Sequence, residues 1–299
     1  MKKRVLVTGG NGFIGTHLCK KLQERNYDFR VLTQKKTAFF APEKIRVIDL
    51  LDAEGIKEIL CEYKPDAIIH LAAIASPAFS DSGILYRINV CGTENLLQAA
   101  KAYLPEHTKL ILISTAGVYG NQNVRFLHED LSFNPVNHYS FSKMIVEYLS
   151  RQYTDWLDIQ IVRPFNIIGV GQMPTFLIPK LVDCFRERVP VLKMGNMDAI
   201  RDYVSVDFCT EVLIDLMESE SIICPAINIC SGKGYSCREI VEILEEMTGH
   251  YPQIQTSPEL VRTNEIWRLV GDTSRLYTFT QEKYKSLELR SIIEQMLES

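Results

Sequence analysis

The stretch Val5–Gly15, which reads VLVTGGNGFIG, decides the fold of this chain. An apolar run typical of a buried strand leads into closely spaced glycines, and a helical pattern over Phe13–Glu24 follows. Glycines allow a tight turn and close backbone approach to a pyrophosphate, whose charge is favoured by free N–H groups at a helix start. A tight turn without a ligand is the alternative, but the strand–turn–helix context favours a dinucleotide-binding turn. Its residues assigned to the cofactor are Gly9, Gly12, Phe13, Ile14 and Gly15.

The first half of the chain continues to alternate short apolar runs with helical patterns. The runs predict strands at Arg4–Thr8, Phe29–Leu32, Arg46–Ile48, Ala67–Leu71, Leu110–Ser114 and Ile159–Arg163. The intervening patterns predict helices at Phe13–Glu24, Gly55–Tyr63, Asn89–Leu104 and Tyr139–Tyr153. Fully apolar strands joined by helical crossovers indicate a parallel sheet buried on both faces. The predicted fold class is therefore α/β, with a Rossmann-type doubly wound parallel sheet.

The regular alternation of predicted strands and helices ends after Pro164. A loop rich in Gly and Pro spans Gly169–Pro174, and helical patterns follow at Ile178–Glu187 and Cys237–Thr248. We expect residues 1–165 to form a dinucleotide-binding domain, with a segment near 196–230 crossing back to it. Residues 166–299 are expected to form most of a smaller C-terminal substrate-binding domain.

Composition limits the possible partners. The 299 residues are 46% apolar and carry a net charge of −4, with Lys and Arg scattered among acids, so a nucleic-acid partner is not expected. The apolar run near the N-terminus is too short for a signal-peptide core or a membrane span, which predicts a cytoplasmic protein with no membrane partner. Eight cysteines form no CxxC pair and no Cys/His cluster with zinc spacing, so no metal site is expected.

The end of the second predicted strand bears on the choice of cofactor. Enzymes that use NAD usually place Asp or Glu here for the ribose 2′-hydroxyl, whereas this chain has Gln34, Lys35 and Lys36. Lys35 and Lys36 are suited to pair with a 2′-phosphate, so NADP is predicted, with NAD possible if the lysines form only a solvated loop. Asp49, after the third strand, can accept a hydrogen bond from an adenine amino group or cap its own loop.

The candidate catalytic residues lie on a helix and at a strand end. Tyr139 and Lys143 are four residues apart, hence on one helix face, and a nearby ammonium is expected to lower the tyrosine pKa. Such a tyrosine can give a proton to a carbonyl oxygen or take one back. Ser114 and Thr115 end a strand at the sheet edge where ligands bind, and Thr115 is expected to bond the substrate oxygen. A surface Tyr–Lys pair and a loop-capping Ser–Thr pair are the alternatives.

These motifs together resemble the extended short-chain dehydrogenase/reductases, a family of sugar-nucleotide epimerases, dehydratases and reductases. The resemblance spans nearly the whole chain, and its motifs are Gly9, Gly12, Gly15, the run 70–73 (HLAA), Asn89, Ser114-Thr115, Tyr139 with Lys143, and the run 163–166 (RPFN). It implies that Lys143 also binds the nicotinamide ribose, that Asn89 lies on the proton-relay side and that Asn166 touches the substrate diphosphate. Further residues assigned to the cofactor are Leu50, Leu71, Ala72, Ala73, Asn89, Tyr139 and Pro164, and to the substrate Ser76, Ser114 and Gln172.

The resemblance also bears on the reaction. Family members that dehydrate the hexose carry an Asp–Glu pair directly after the catalytic threonine, where this chain has Ala116 and Gly117, so dehydration lacks its proton carriers. The second half is most similar to GDP-4-keto-6-deoxymannose reductases over the runs 163–172, 195–203 and 228–234. That similarity implies that Arg201 and Arg262 clamp the substrate diphosphate. The alternative for Arg201 is a surface ion pair with Asp198 or Asp202.

Three functions remain open at this point. The first is an NADPH-dependent reductase of a GDP- or dTDP-linked 4-keto-6-deoxyhexose; the second is a sugar-nucleotide 4-epimerase with bound NAD; the third is a catalytically silent nucleotide-sensing protein. The family also implies a homodimer built on the helices near 89–104 and 139–153. Apolar positions there must be covered by the sheet or by a partner subunit, namely Leu96, Leu97, Ile145 and Leu149.

Overall fold

The computed structural model describes residues 3–76, 79–220, 222, 226–261, 264–281 and 286–299. Strands within these residues are β1 Arg4–Thr8, β2 Asp28–Thr33, β3 Ile45–Val47, β4 Ala67–His70, β5 Thr108–Ile113, β6 Leu157–Pro164, β7 Asn166–Ile168, β8 Val191–Met194, β9 Ile200–Ser205, β10 Ala226–Ile229, β11 Gly234–Ser236, β12 Gln253–Thr256 and β13 Arg268–Leu269. Helices are α1 Phe13–Glu24, α2 Ala53–Tyr63, α3 Ser82–Tyr86, α4 Gly92–Tyr103, α5 His138–Ser150, α6 Leu177–Arg186, α7 Val206–Glu218, α8 Cys237–Thr248, α9 Ser274–Thr280 and α10 Leu289–Leu297. None of the helices in the described ranges is long and apolar enough to cross a membrane.

A seven-stranded sheet forms the centre of the fold, in the order β10-β6-β5-β4-β1-β2-β3. Each neighbouring pair from β6 to β3 is parallel. The chain runs outward from β1 to β3 on one side and then from β4 to β6 on the other, which is the doubly wound topology. All residues of β4 and β5 are buried, as expected for parallel strands covered on both faces. The predicted fold class is confirmed.

The chain divides into two compact units. Unit 1 comprises residues up to Val118, 137–163 and 210–227, and unit 2 comprises 119–136, 164–209 and 228–299. The segment 210–227 of unit 1 lies inside the stretch expected to cross back. Within unit 1 it is held by Glu211, which accepts from Lys21 at 2.7 Å and also from Arg25.

Residues 119–136 differ from the sequence-based boundary, which placed them with the first 165 residues. They belong to unit 2 because their backbone and side chains bond to later residues of that unit. Leu127 N donates to Val270 O at 2.9 Å, and Asp272 N donates to Leu127 O at 2.9 Å. Glu129 Oε1 accepts from Asn228 N at 2.9 Å. Which unit binds which ligand stays a prediction.

The core of unit 1 bears on the predicted homodimer, because it shows what covers the apolar residues of α4 and α5. Leu96 and Leu97 of α4 are fully buried within the subunit, and Leu149 of α5 packs against the same core. Of the two alternatives given for these leucines, cover within the subunit is the one observed, so neither leucine of α4 needs a partner subunit. Ile145 is 38% exposed, and with Phe141 it lies on the outer face of α5.

Unit 2 contains two small sheets and its own core. In the first, β9 pairs with β11, β13 and β7; in the second, β12 pairs with β8. The core is formed by residues of α6, α8 and α10 together with β7, β8 and β9. Asp202 of β9 is fully buried and accepts from Ser231 N at 2.9 Å, Gly232 N at 2.9 Å and Gly271 N at 3.2 Å. One carboxylate thus joins three distant segments of this unit.

Candidate active site

The glycine turn between β1 and α1 has the geometry that a pyrophosphate requires. Gly9 has a φ of +69°, and a Cβ at this position would lie 2.7 Å from Ala72 N. A Cβ on Gly15 would lie 2.4 Å from the Gly9 carbonyl oxygen, so neither position accepts a side chain without rearrangement. Gly12 is the N-cap and offers no side-chain acceptor to the first helical N–H groups, where Phe13 and Ile14 begin the helix. These features fit a dinucleotide whose phosphates bind at the helix start.

The end of β2 leaves two cations exposed. Gln34, Lys35 and Lys36 are exposed, and the Thr33 hydroxyl donates to Lys35 O at 2.8 Å, which fixes the start of this loop. Neither lysine forms an ion pair with any residue in the part of the chain that the structure describes. Both ammonium groups are therefore available to an anion.

Asp49 and Leu50, at the exit from β3, have mainly local contacts. Asp49 is exposed, and its Oδ1 accepts from Leu51 N at 2.9 Å, so the loop-capping alternative is realised in the structure. The Leu50 side chain is 5% exposed, and its carbonyl accepts from Asn95 Nδ2 at 3.0 Å. The Leu50 side chain is part of the core, and the assignment of Leu50 to the cofactor stays a prediction.

His70 at the end of β4 is held in one tautomer by its neighbours. The Thr93 hydroxyl donates its hydrogen to Asn89 O at 2.6 Å, so it must accept from His70 Nε2–H at 2.9 Å. His70 Nδ1 is then an acceptor and receives the Thr8 hydroxyl at 2.7 Å. Burial, together with the charge of Lys143, lowers the pKa of His70 from 6.5 to about 3, so the ring is neutral.

The segment after β4, which contains the predicted cofactor contacts Leu71, Ala72 and Ala73, is fixed to this network. Leu71 N donates to Thr8 O and Ala72 N to Thr8 Oγ1, each at 3.2 Å. All three residues are half-buried, and so is the predicted substrate contact Ser76. The backbone of this segment is therefore positioned by β1, directly beside the glycine turn.

Asn89 has a structural role that the sequence did not indicate. It is 1% exposed and lies in a short π-helical stretch, Arg87–Cys91, between α3 and α4. Its Oδ1 accepts from Ile74 N at 2.8 Å, and its Nδ2 donates to Ile74 O at 3.1 Å and to Ser142 Oγ at 3.0 Å. With these atoms engaged, Asn89 joins the segment after β4 to α5. The assignment of Asn89 to the cofactor stays a prediction.

The three predicted catalytic residues occur together in unit 1. The Thr115 side chain lies beside the Tyr139 hydroxyl, close enough to act on its pKa. Lys143, one turn further along α5, is 3% exposed and its Nζ donates to Ile113 O at 2.7 Å, at the end of β5. Asn137 caps the helix, since its Oδ1 accepts from Ser140 N at 2.9 Å, and this fixes the first turn that carries Tyr139.

The pKa values differ from the prediction made from sequence. Burial raises the pKa of Tyr139 to about 12, and the Thr115 side chain opposes that rise. The predicted lowering of this pKa is wrong, because removal from water is the largest effect on the phenol. Burial likewise lowers the pKa of Lys143 to about 8, with Glu147 acting in the opposite direction. Near neutral pH Tyr139 is therefore a phenol, the form that can give up a proton.

A buried ionic cluster behind these residues was missed by the sequence reasoning. Arg163 Nη2 donates to Glu147 Oε2 at 2.8 Å, and Arg163 Nε donates to Oε1 at 3.0 Å. The Ser114 hydroxyl also donates to Glu147 Oε1, and Ser114 is 1% exposed. Ser114 therefore faces the interior, which corrects its assignment to the substrate. The spacing of Tyr139, Lys143 and Glu147 at four-residue intervals was the available signal.

Unit 2 holds the remaining predicted substrate residues. Asn166 Nδ2 donates to Asp202 O at 2.8 Å. Gln172 Nε2 donates to Ile167 O at 3.0 Å, while its Oε1 is buried without a hydrogen-bond partner among the described residues. Pro164, assigned to the cofactor, is buried at the end of β6. Arg262 lies outside the described residues.

Arg201 forms an ion pair, although not with the residues considered from sequence. Its Nη2 donates to Glu265, and its Nη1 donates to Ile200 O at 2.9 Å. Asp198 instead pairs with Arg238 at 3.2 Å, and Asp202 is occupied in the interior of unit 2. A diphosphate at Arg201 would have to share or replace the Glu265 carboxylate.

Comparison with known proteins establishes the family. A family model described as the NAD dependent epimerase/dehydratase family matches residues 5–230. The chain belongs to the NAD dependent epimerase/dehydratase family, which confirms the resemblance to extended short-chain dehydrogenase/reductases. This is a family of NAD(P)-dependent enzymes, so the chain is assigned to the oxidoreductase-type enzymes.

Two curated relatives are similar over almost their whole length. GDP-6-deoxy-D-talose 4-dehydrogenase of Aggregatibacter actinomycetemcomitans is 36% identical over 293 residues, covering 98% of this chain and 96% of the relative. GDP-6-deoxy-D-mannose reductase of Pseudomonas aeruginosa is 31% identical over 291 residues, covering 94% and 91%.

Solved structures agree with the fold and differ in cofactor. RMD from Pseudomonas aeruginosa, solved with NADPH, is 29% identical with a TM-score of 0.84 and covers 100% of this chain and 97% of its own. UDP-glucose 4-epimerase from Thermus thermophilus, solved with NAD, is 28% identical with a TM-score of 0.83 and covers 99% and 98%. Both cofactors therefore occur among the structural neighbours of this chain.

Proposed function

We propose that this chain is an NADPH-dependent reductase acting at C4 of a GDP-linked 4-keto-6-deoxyhexose. The observation that carries the proposal is the placement of Tyr139 beside Thr115 and one helical turn before the buried Lys143. The two curated relatives are named for GDP-6-deoxyhexoses, one as a 4-dehydrogenase and one as a reductase, which supports the same sugar class here.

The proton chemistry follows from the state of each group. A bound nicotinamide dinucleotide supplies the hydride in reduction or accepts it in the reverse direction. Negative charge then develops on the C4 oxygen, and Tyr139, held as a phenol by burial, donates its proton to that oxygen. Thr115 orients the phenol and is placed to bond the same oxygen. Lys143 offers N–H groups beyond the one given to Ile113 O, and we assign these to ribose hydroxyls.

Substrate recognition is assigned to polar groups of unit 2. The Gln172 Oε1 atom is a buried acceptor without a partner among the described residues, and a sugar hydroxyl or a base N–H would satisfy it. Arg201 is assigned to the diphosphate, because a guanidinium presents paired donors to such an anion. Asn166, whose Nδ2 donates to the carbonyl oxygen of Asp202, stays assigned to the diphosphate region of the substrate.

The preference for NADPH is supported by the end of β2. Lys35 and Lys36 are exposed, without ion-pair partners in the described ranges, and carry the charge that a 2′-phosphate requires. The residues Thr33 to Lys36 include no carboxylate to repel that phosphate. The structural neighbour solved with NADPH, a chain 29% identical to this one, is in line with this choice.

The test is a direct assay with purified protein. We expect NADPH to be consumed with a GDP-linked 4-keto-6-deoxyhexose, more slowly with NADH, and the product to regenerate NADPH from NADP⁺ when the reaction is run in reverse. Tyr139→Phe is the matched inactive control. No oxidation of NADPH with either GDP- or dTDP-linked substrates would overturn the proposal. Conversion of a GDP-hexose to its C4 epimer with NAD, without net oxidation, would instead establish an epimerase.

A further inference from the structure

The helix that carries Tyr139 and Lys143 carries a third ionisable residue on the same face. Glu147 follows Lys143 by one turn, as Lys143 follows Tyr139. Glu147 is fully buried and Lys143 is 3% exposed. Buried charges are costly unless they are paired, so the partners of Glu147 indicate what it does.

Those partners come from two neighbouring strands. From β6, Arg163 donates to Glu147 Oε1 at 3.0 Å through Nε and to Oε2 at 2.8 Å through Nη2. From the end of β5, Ser114 donates its hydroxyl to Oε1. Each carboxylate oxygen of Glu147 thus accepts from at least one buried donor. The cluster of Lys143, Glu147 and Arg163 therefore holds two positive charges and one negative charge in the interior.

The ammonium of Lys143 depends on that negative charge. Burial lowers the Lys143 pKa to about 8, and the charge of Glu147 raises it. The other ionisable groups around this cluster offer no anion: His70 from β4 is neutral, Tyr139 is a phenol, and Arg163, which is bound to Glu147, is a cation. Among the described residues, Glu147 is thus the negative charge that opposes the effect of burial on Lys143.

We propose that Glu147 is a positioning residue for catalysis, which keeps the Lys143 ammonium charged and, through Ser114, holds the strand end that carries Thr115. It acts through Lys143 and does not touch the substrate. The inference rests on the proposed function for its catalytic consequence. Its effect on cofactor binding does not require the sugar substrate to be identified correctly.

The test uses two variants with opposite expected effects on pH dependence. Glu147→Gln keeps the shape of the side chain and removes its charge. NADPH affinity and turnover should both decline at high pH as Lys143 loses its proton, and this high-pH limb should move down by about one pH unit. At a pH above the limb, that shift is about a tenfold loss of affinity and of turnover. Arg163→Gln removes the competing cation and should move the same limb upward. A purely structural role for Glu147 predicts lower stability with no movement of either limb.

The readouts separate this inference from the proposed reaction. NADPH affinity is measured by fluorescence across about pH 6 to 10, and turnover is followed on whichever substrate the wild-type protein converts. The matched control is Glu211→Gln, which breaks an ion pair with Lys21 elsewhere in unit 1 and should leave the limb in place. If Glu147→Gln does not fold, the upward shift in Arg163→Gln decides. Unmoved limbs in the folded variants would overturn the inference, whatever the substrate.

Discussion

Acid should destabilise this protein through one histidine. His70 is buried and neutral, with a pKa lowered from 6.5 to about 3, whereas the unfolded chain takes up a proton near 6.5. Between these values the unfolded state binds more protons, so the contribution to stability is lost as pH falls from about 6.5 towards 3. At about pH 4.5, two units below the unfolded pKa, the loss from this group is about 3 kcal/mol.

The perturbation that isolates this contribution is His70→Gln. Glutamine retains an N–H donor and does not titrate, so we expect lower stability near pH 7, by about 1–3 kcal/mol for the disturbed bonds to Thr8 and Thr93, and a shallower dependence on pH. Urea unfolding at about pH 7 and about pH 4.5 measures both free energies. His107→Gln is the control, since that side chain is 67% exposed. An equal acid-induced loss in wild type and His70→Gln would refute the reasoning.

Three further outcomes are expected. Tyr139→Phe should lower turnover by about 10²–10⁴-fold with NADPH affinity retained. The control is Tyr153→Phe, which removes another tyrosine hydroxyl and should keep its turnover. Comparable turnover in the two variants would contradict the assignment of Tyr139 as proton donor. Gly15→Ala, whose Cβ would lie 2.4 Å from a carbonyl oxygen, should cost about 1–3 kcal/mol of stability and weaken NADPH binding, as thermal unfolding and fluorescence titration will show. Lys35→Glu with Lys36→Glu should raise the KM for NADPH by about tenfold or more and leave that for NADH nearly unchanged; an equal effect on both would reject the 2′-phosphate contact.

The first βα unit could be predicted almost residue by residue. The strand Arg4–Thr8 and the helix Phe13–Glu24 have the predicted ends, because the glycine turn between them permits little else. The other predicted strands and helices of unit 1 are present with ends shifted by up to three residues. Strands β7 to β13 were not predicted. Of these, β7 and β13 have three and two residues, which are too few for any periodicity to show.

The types of catalytic residue could be predicted from sequence, but the directions in which their side chains point could not. Ser114 and Thr115 are adjacent at the end of an extended strand, where successive side chains point to opposite faces, so only one hydroxyl can meet a ligand. Sequence does not tell which one, and Thr115 proves to be the partner of Tyr139. The pKa of Tyr139 was misjudged because spacing reveals the neighbouring ammonium but not the removal of water.

Ion pairs between residues far apart in the sequence could not be predicted from sequence patterns. Arg163 meets Glu147 only after β6 has been placed beside β5, and Glu265 meets Arg201 across 64 residues. The apolar residues Leu96 and Leu97 were equally ambiguous, because a buried helix face looks the same whether a sheet or a second subunit covers it. The homodimer therefore stays a prediction, now dependent on the exposed outer face of α5.

Unit 1 cannot be completed during translation until the segment 210–227 has been synthesised. Because unit 1 includes that segment, its β-sheet lacks the edge strand β10 and its N-terminal helix lacks the Glu211 partner until about three quarters of the chain has left the ribosome. A nascent chain cut after residue 165 would expose the outer edge of β6 with unpaired backbone groups. Both halves of the enzyme must therefore mature late in translation, and a premature stop anywhere before residue 227 leaves neither half intact.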